Sequence, residues 1–268
     1  MLKQRVITAI ALVAVLLGVM LGLPPVGTVW LLTLIMLIGA WEWAGFIGNG
    51  SAPLRAVFTG TVALALAAAF YLQAVVPGFV QGVLACAIGW WFLAFLWVTM
   101  APTKVSAPAA ALAGLFALVP SWLALVHTTL VTGGTIWVLF TLALVWAADT
   151  GAFFAGRWFG RIPLAPRVSP KKTWEGVIGG VALSGLVAWL AAIHLFELEP
   201  ATFVLVCVAV AGLSIVGDLT ESMLKRAAGL KDSGALFPGH GGMLDRIDSV
   251  TAAAPALVFA LFGFGVVS

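Results

Sequence analysis

Nine apolar runs, each about the length that a bilayer requires, follow one another along this chain and restrict its fold more than any other feature. A membrane-spanning helix needs about 20 mostly apolar residues. The chain is 63% hydrophobic and 9% charged, whereas soluble domains have about a quarter of their residues charged. The runs cover residues 6–23, 26–47, 54–74, 79–100, 107–129, 135–156, 174–196, 201–224 and 249–267. The sequence therefore predicts an all-α polytopic membrane protein with about nine transmembrane helices.

The connections between these runs are short, and no stretch is long enough for a separate soluble domain. We therefore expect residues 1–268 to form a single membrane domain. Within it, residues 1–133 are expected to supply packing and lipid-facing helices, with contacts in a homodimer left open. Residues 134–268 are expected to supply the catalytic helices and cytoplasmic loops.

The positions of the basic residues predict the orientation, because cytoplasmic loops carry an excess of lysine and arginine. With nine spans and a cytoplasmic N-terminus, all 13 basic residues fall on the cytoplasmic side and the C-terminus lies outside. The predicted outer loops hold only Glu197 and Glu199 as charged residues. We expect a multi-pass protein of the inner (cytoplasmic) membrane. The small net charge of +3 argues against nucleic acid as a partner.

Charged residues concentrate in two windows, 149–175 and 218–248, which hold seven and nine of the 23 charges. Each window begins with an acid inside a predicted helix, Asp149 in one and Asp218 in the other. A carboxylate within a membrane span is costly unless a cation, a polar group or water meets it, so these acids indicate function. Both windows fall on the predicted cytoplasmic side, which puts the candidate active site there.

The first window contains a loop with five basic residues, including Lys171 and Lys172. Ser169 and Pro170 suit the N-cap and first position of the next helix, and a helix N-terminus attracts phosphate. Basic residues here could instead only enforce topology or touch anionic lipid. That alternative does not account for Asp149 or Glu175.

The second window contains two acid pairs, Asp218 with Glu221 and Asp245 with Asp248, each spaced to share one face of a helix. Paired carboxylates with room for water suit Mg2+, which is held by one or two acids plus substrate phosphates. Zinc is disfavoured, since His240 has no His or Cys at ligand spacing. Acids beside many cations predict Mg2+-dependent phosphotransfer that joins a soluble nucleotide to a lipid phosphate. The nucleobase and the lipid stay open.

The stretch "SMLKRAAGLKDSGALFPGHGGMLDRIDS", residues 222–249, resembles the signature of the phosphatidate cytidylyltransferase (CDP-diacylglycerol synthase) family. "SPKKTWEG" and "GDLTESMLKR" are also similar to segments of that family. The resemblance implies that CTP and phosphatidate react to CDP-diacylglycerol and pyrophosphate, by attack of the lipid phosphate on the α-phosphorus. It also implies membrane lipids as partners and Mg2+ as cofactor, with a second metal or a monovalent cation left open.

The resemblance further implies roles for individual residues. The metal ligands would be Asp218 and Asp245, then Asp248 and Asp149. The catalytic residues would be Asp218, Asp245, Lys225, Arg246 and His240, of which His240 would contact a phosphate or, as the alternative, handle a proton. The substrate-binding residues would be Ser169, Lys171, Lys172, Thr173, Glu175, Ser222, Arg226, Lys231, Asp232, Gly241 and Gly242. Lys171 and Lys172 would bind either the triphosphate or the lipid headgroup. A salt bridge is the alternative role for Arg246 and Asp232.

Two other functions were weighed against this one. A CDP-alcohol phosphatidyltransferase carries a D-G-x-x-A-R arrangement followed by further aspartates, and the sequence after Asp149 lacks it. An ion-coupled transporter would explain acids within spans, but would need them near the bilayer midplane. Glu42, in "AWEWAGF", is left unexplained; a place in the cytoplasmic cavity or a partner on a neighbouring helix stays open.

Overall fold

Helices account for most of the protein. A computed structural model describes residues 2–48, 50–237 and 241–267. The helices there are α1 Leu2–Gly22, α2 Pro25–Trp43, α3 Ala52–Val75, α4 Phe79–Met100, α5 Ala107–Leu130, α6 Gly134–Phe159, α7 Trp174–Ala191, α8 Pro200–Ala227 and α9 Leu244–Gly263. A 3-10 turn, Ala44–Phe46, continues α2, and a π turn, Ala192–Phe196, continues α7. The strands β1 Pro163–Ala165 and β2 Ser169–Thr173 form an antiparallel hairpin between α6 and α7.

Eight helices in the described part of the chain, α2 to α9, are long and apolar enough to cross a membrane. The remaining predicted span corresponds to α1, of which Ile10–Gly22 forms a shorter apolar stretch. The prediction of an all-α polytopic membrane protein is confirmed. The cytoplasmic placement of the N-terminus and the outward placement of the C-terminus stay predictions.

The structure corrects the predicted start of α7. Ser169 and Pro170 were expected to begin this helix, but Ser169–Thr173 is β2, paired through Ala165↔Ser169 and Pro163↔Thr173. The helix begins at Trp174, and the Thr173 hydroxyl caps it by accepting a hydrogen bond from the Gly176 N–H at 3.2 Å. The local sequence favoured Ser-Pro as a cap, but pairing with β1 holds this segment extended.

Helices α5 and α9 form the centre of the bundle. In the apolar stretch of α5, 67% of residues are buried, and in that of α9, 61%, against 22% for α3 and 28% for α4. Helices α3 and α4 can leave leucine and phenylalanine side chains exposed, because the lipid around a membrane-facing helix is itself apolar. The enclosed position of α9 matters for function, because its first turns carry Asp245 and Asp248.

Several connections between helices meet at one end of the bundle, called here the loop end; its described residues are 44–48, 50–51, 101–106, 160–173, 228–237 and 241–243. The Trp43 indole N–H donates to the Ala110 carbonyl at 2.8 Å, which joins the end of α2 to the start of α5. Val168 of the hairpin packs with Val98 of α4 and Met223 of α8. Both charged windows of the sequence therefore contribute to the same end.

At the opposite end, Glu199 caps α8. Its carboxylate accepts hydrogen bonds from the N–H groups of Ala201 at 2.9 Å and Thr202 at 2.7 Å. Hydrogen bonds from the Thr202 side chain and from these two backbone groups lower the pKa of Glu199. This acid therefore has a structural role outside the charged windows.

Candidate active site

A cavity of about 430 Å³ opens at the loop end between α6, the hairpin, α7 and α8. Asp149 and Asp218 lie on its wall, together with Lys171, Lys172 and Arg157. The rest of the lining is largely small or apolar, including Ala148, Ala152, Phe153, Gly156, Leu164, Val177 and Ile215. The lining of the cavity thus combines charged side chains with apolar surface.

Lys172 and Asp218 bring the two charged windows together inside this cavity. The Lys172 ammonium lies 2.5 Å from the Asp218 carboxylate, and both side chains are about a quarter exposed (28% and 26%). The Ser222 hydroxyl, one turn further along α8, donates to the other carboxylate oxygen of Asp218 at 3.2 Å. Asp149 also interacts electrostatically with Asp218 and Lys172.

A second group, called here the Lys225 triad, consists of Lys225, Glu221 and Asp245. The Lys225 ammonium lies 2.9 Å from a Glu221 oxygen and 2.6 Å from the Oδ1 atom of Asp245. All three side chains are at most 10% exposed. Because a buried charge without a partner is very costly, these three groups stabilise one another only as a set.

Asp245 is the most fully hydrogen-bonded acid of the site. Its Oδ2 atom accepts from the Ser233 N–H at 2.9 Å, the Ser233 hydroxyl at 2.9 Å and the Gly242 N–H at 2.8 Å. Gly241 has a φ of +77°, and a Cβ atom there would lie 2.5 Å from this same oxygen. The glycines of the signature therefore let the loop backbone approach the Asp245 carboxylate.

Asp248 lies between the two groups. It interacts electrostatically with Asp218 and Glu221, and with both Lys172 and Lys225. Helices α8 and α9 come close here, since a Cβ atom on Gly217 would lie 2.6 Å from the Asp248 carbonyl oxygen. The acids of α8 and α9 thus share one region of the loop end.

The donor chemistry of this region fits Mg2+. Glu221 is 2% exposed, and apart from the nearby Lys225 ammonium no described group donates to either of its carboxylate oxygens. Among the described residues, no group of three or more acidic, histidine or cysteine side chains could hold a metal ion by itself. Mg2+ does not need such a cage, because it keeps waters and binds one or two carboxylates plus substrate phosphates.

Four predicted substrate-binding residues and the predicted catalytic residue Arg246 are exposed at the loop end and are not part of the Lys225 triad; the four are Lys171, Arg226, Lys231 and Asp232. The Arg226 guanidinium reaches only the Leu230 carbonyl, at 3.5 Å. The remaining predicted residues have contacts within the fold. Thr173 caps α7, and both Glu175 oxygens accept from the Ile162 N–H at 3.3 Å. His240 lies outside the described residues.

Two residues that the sequence analysis did not place in the site are Glu42 and Ser233. Glu42, at the end of α2, accepts a hydrogen bond from the Ser233 hydroxyl at 3.0 Å. The sequence signal for Glu42 was an acidic residue within an apolar run. Its hydrogen-bond partners could not be identified from the sequence, because they are about 200 residues away.

Comparison with known proteins agrees with the resemblance seen in the sequence. A family model described as "Cytidylyltransferase family" matches residues 3–264. A phosphatidate cytidylyltransferase of Pseudomonas aeruginosa is 40% identical over 99% of this chain and 98% of that relative. A phosphatidate cytidylyltransferase of Haemophilus influenzae is 38% identical over 98% of this chain and 99% of that relative.

Proposed function

Because the chain belongs to the cytidylyltransferase family, among full-length relatives named phosphatidate cytidylyltransferase, we propose that it transfers CMP from CTP to phosphatidate. The products are CDP-diacylglycerol and pyrophosphate. The reaction takes place at the cytoplasmic face of the membrane, where the basic loops are expected to lie. The observation that carries this proposal is the cavity that holds Lys172, Asp218 and Asp149 against an apolar wall.

The shape and lining of this cavity support a lipid phosphate as one substrate. Lys171, Lys172 and Arg157 provide positive charge for the phosphate, while Phe153 and Ile215 provide apolar surface for the start of the acyl chains. A second, largely apolar cavity of about 420 Å³ lies on the other side of Leu164, between α4, the hairpin and α8. Arg167 is among its lining residues, so this cavity too combines a cation with apolar surface.

The exposed cations of the second window support a nucleoside triphosphate as the other substrate. Arg226, Lys231 and Arg246 are exposed and have no salt bridge among the described residues. Such side chains can bind the oxygens of a triphosphate through charge-assisted hydrogen bonds. A triphosphate held there lies beside a lipid phosphate held by Lys172.

The chemical step is an in-line displacement at phosphorus. A phosphatidate oxygen forms a bond to the α-phosphorus of CTP, and the bond from that phosphorus to the bridging oxygen breaks, with pyrophosphate leaving. The main requirements are alignment and stabilisation of negative charge. Lys172 orients the attacking phosphate, and the cations of the second window hold the phosphates that leave.

Bound Mg2+ would supply further positive charge for the phosphate oxygens. Asp218, Asp149 and Asp248 would hold it, together with water and substrate phosphate. Asp245 would be a further ligand; its Oδ1 atom is paired with Lys225 at 2.6 Å. Zinc is a poor fit to a donor set made of carboxylates alone.

The test is a reconstituted assay with purified protein in detergent, Mg2+, CTP and phosphatidate. Pyrophosphate and CDP-diacylglycerol should form only when both substrates are present, and both products should be measured. Release of pyrophosphate from CTP alone, or no product when both substrates are present, would contradict the proposal. Consumption of CDP-diacylglycerol with an added alcohol would instead indicate a phosphatidyltransferase.

The role of Asp218 can be tested in the same assay. Asp218→Asn should lower kcat at least about 100-fold, since a neutral amide binds Mg2+ more weakly and releases Lys172. Chelation of Mg2+ should abolish turnover, and added Mg2+ should restore it in the unsubstituted protein. Glu197→Gln, at the opposite end of the bundle, is the matched control and should retain full activity. Normal kcat for Asp218→Asn would remove this residue from the metal site.

A further inference from the structure

Glu42 is a buried acid in the half of the chain that holds neither charged window. It lies one residue before the end of α2, and it is 5% exposed. No salt bridge to Glu42 is formed by any described residue. An acid this enclosed is expected to have strong hydrogen-bond donors, because an unpaired buried carboxylate is very unfavourable.

Its donors come from the start of α9 and from the loop before it. One carboxylate oxygen accepts from the Met243 N–H at 3.1 Å, and the other from the Leu244 N–H at 2.8 Å and the Ser233 hydroxyl at 3.0 Å. Met243, the N-cap residue of α9, makes no side-chain capping bond of its own. Glu42 thus provides from α2 the acceptor and the negative charge that the N-terminus of α9 requires.

The loop is shaped to admit this carboxylate. A Cβ atom on Gly234 would collide with one Glu42 oxygen, and a Cβ atom on Gly242 would collide with the other. Two glycines therefore let the backbone pack directly on Glu42. The signature segment encloses an acid that the signature itself does not contain.

Glu42 is also connected to Asp245 through one shared donor. The Ser233 hydroxyl lies 3.0 Å from a Glu42 oxygen and 2.9 Å from the Oδ2 atom of Asp245. The Ser233 N–H binds that same Asp245 oxygen, and Oδ1 of Asp245 binds Lys225. The position of the Lys225 triad therefore depends on where Ser233 and the first turn of α9 are held.

We propose that Glu42 is a positioning residue, which anchors Ser233 and the N-terminus of α9 and so aligns Asp245 and Lys225 for the reaction. This inference rests on the proposed cytidylyltransfer. Glu42 itself touches no substrate; it acts through Ser233 and through the backbone at residues 243 and 244. Small displacements of catalytic groups can cost about 100-fold in rate, so a distant anchor can have a large effect.

The experiment compares two Glu42 variants with a neighbouring control. Glu42→Ala removes all three hydrogen bonds that the carboxylate accepts. Glu42→Gln keeps the side-chain volume but replaces one carboxylate oxygen with an NH2 group, which faces hydrogen-bond donors and cannot accept from them. Trp43→Phe, one residue along, removes the buried hydrogen bond to Ala110 and leaves the loop contacts in place. Each protein is assayed for kcat and KM, for thermal unfolding, and for hydrogen exchange of peptides that cover residues 231–247.

We expect kcat to fall about 100-fold for Glu42→Ala and about tenfold for Glu42→Gln, at near-normal KM for CTP. Hydrogen exchange should speed up at residues 231–247 and stay unchanged in α3 to α6. Trp43→Phe should lower the unfolding temperature while kcat stays within about twofold of the unsubstituted value.

Two results would overturn the inference. One is a kcat within twofold of the unsubstituted protein for both Glu42 variants. The other is faster exchange spread evenly over all helices, which would make Glu42 a general stability residue. Hydrogen exchange requires no substrate, so inactivity of the unsubstituted protein would refute the proposed function while the anchoring by Glu42 is still tested.

Discussion

Lys225 is the one basic residue that is buried in the described part of the chain, and its environment explains why a charged lysine is tolerated there. It is 8% exposed and pairs with two acids, Glu221 on its own helix and Asp245 on α9. The pair on α8 has i,i+4 spacing, so it forms as soon as the helix forms. The contact with Asp245 requires α9 to be in place, and it therefore joins the two helices at the site.

We predict strong thermodynamic coupling between Lys225 and Glu221. Lys225→Met should lower the free energy of unfolding by about 3 kcal/mol, because it leaves two buried carboxylates without their cation. In a Glu221→Gln background the same substitution should cost at least about 1 kcal/mol less, since one of the stranded charges is gone. Unfolding by a denaturing detergent, followed by fluorescence of the 12 tryptophans, measures both values. Simple additivity of the two substitutions would show that the triad does not act as a unit.

At the level of elements, α6 and α7 pack backbone to backbone. A Cβ atom on Gly179 would lie 2.7 Å from the Gly151 carbonyl oxygen, and one on Gly180 would lie 2.7 Å from the Ala148 carbonyl oxygen. Small residues allow such close approach of helices in lipid, where burial of apolar surface provides no driving force. This contact sets the width of the cavity, because α6 carries Asp149 and the chain leading into α7 carries Lys172.

We predict that Gly179→Ala separates these helices. The added methyl group would collide with the Ala155 side chain, so stability should fall by about 2 kcal/mol and kcat should fall as the cavity deforms. Gly185→Ala, on the same helix, is the control, because its Cβ atom would lie 3.5 Å from Val208, an ordinary contact. Thermal unfolding and the coupled assay compare the two. Equal behaviour of both variants would contradict the close-packing argument.

At the level of the whole molecule, hydrogen bonds between distant segments join the end of α2 to the starts of α5 and α9. Glu42 of α2 binds the start of α9, and Trp43 binds the start of α5. The division of the chain at residue 133 stays a prediction, and the contacts of Glu42 cross it. A site assembled from both halves is expected to be lost when either half is displaced.

We predict that the loop end faces the cytoplasm. In a background with Cys86 and Cys207 replaced by alanine, Thr103→Cys in the α4–α5 loop should be protected from a membrane-impermeant thiol reagent in intact cells. Thr132→Cys, in the α5–α6 loop at the other end of the same helix, should be labelled. Both residues are exposed, so access to the reagent depends on the side of the membrane. The reverse pattern would invert the topology.

Local patterns predicted the helices well, because lipid forces each span to satisfy its own backbone. They failed where a partner from elsewhere replaces a local signal. The last span was predicted from residue 249, yet α9 begins at Leu244, since Glu42 and Asp245 accept the N–H groups of residues 242–244. Ser169 was predicted as a cap, yet β1 holds it in a strand.

Apolar run length and charge position were sufficient for the helical membrane fold and the two charged windows, and the family was indicated by the resemblance of residues 222–249, since each of these depends on neighbours in the chain. Tertiary contacts alone decided which charges meet: Lys172 with Asp218, Lys225 with Asp245, and Glu42 with the start of α9. The physical reason is that the members of these pairs are 20 to 202 residues apart in the sequence. Interactions over such separations exist only after the helices have packed.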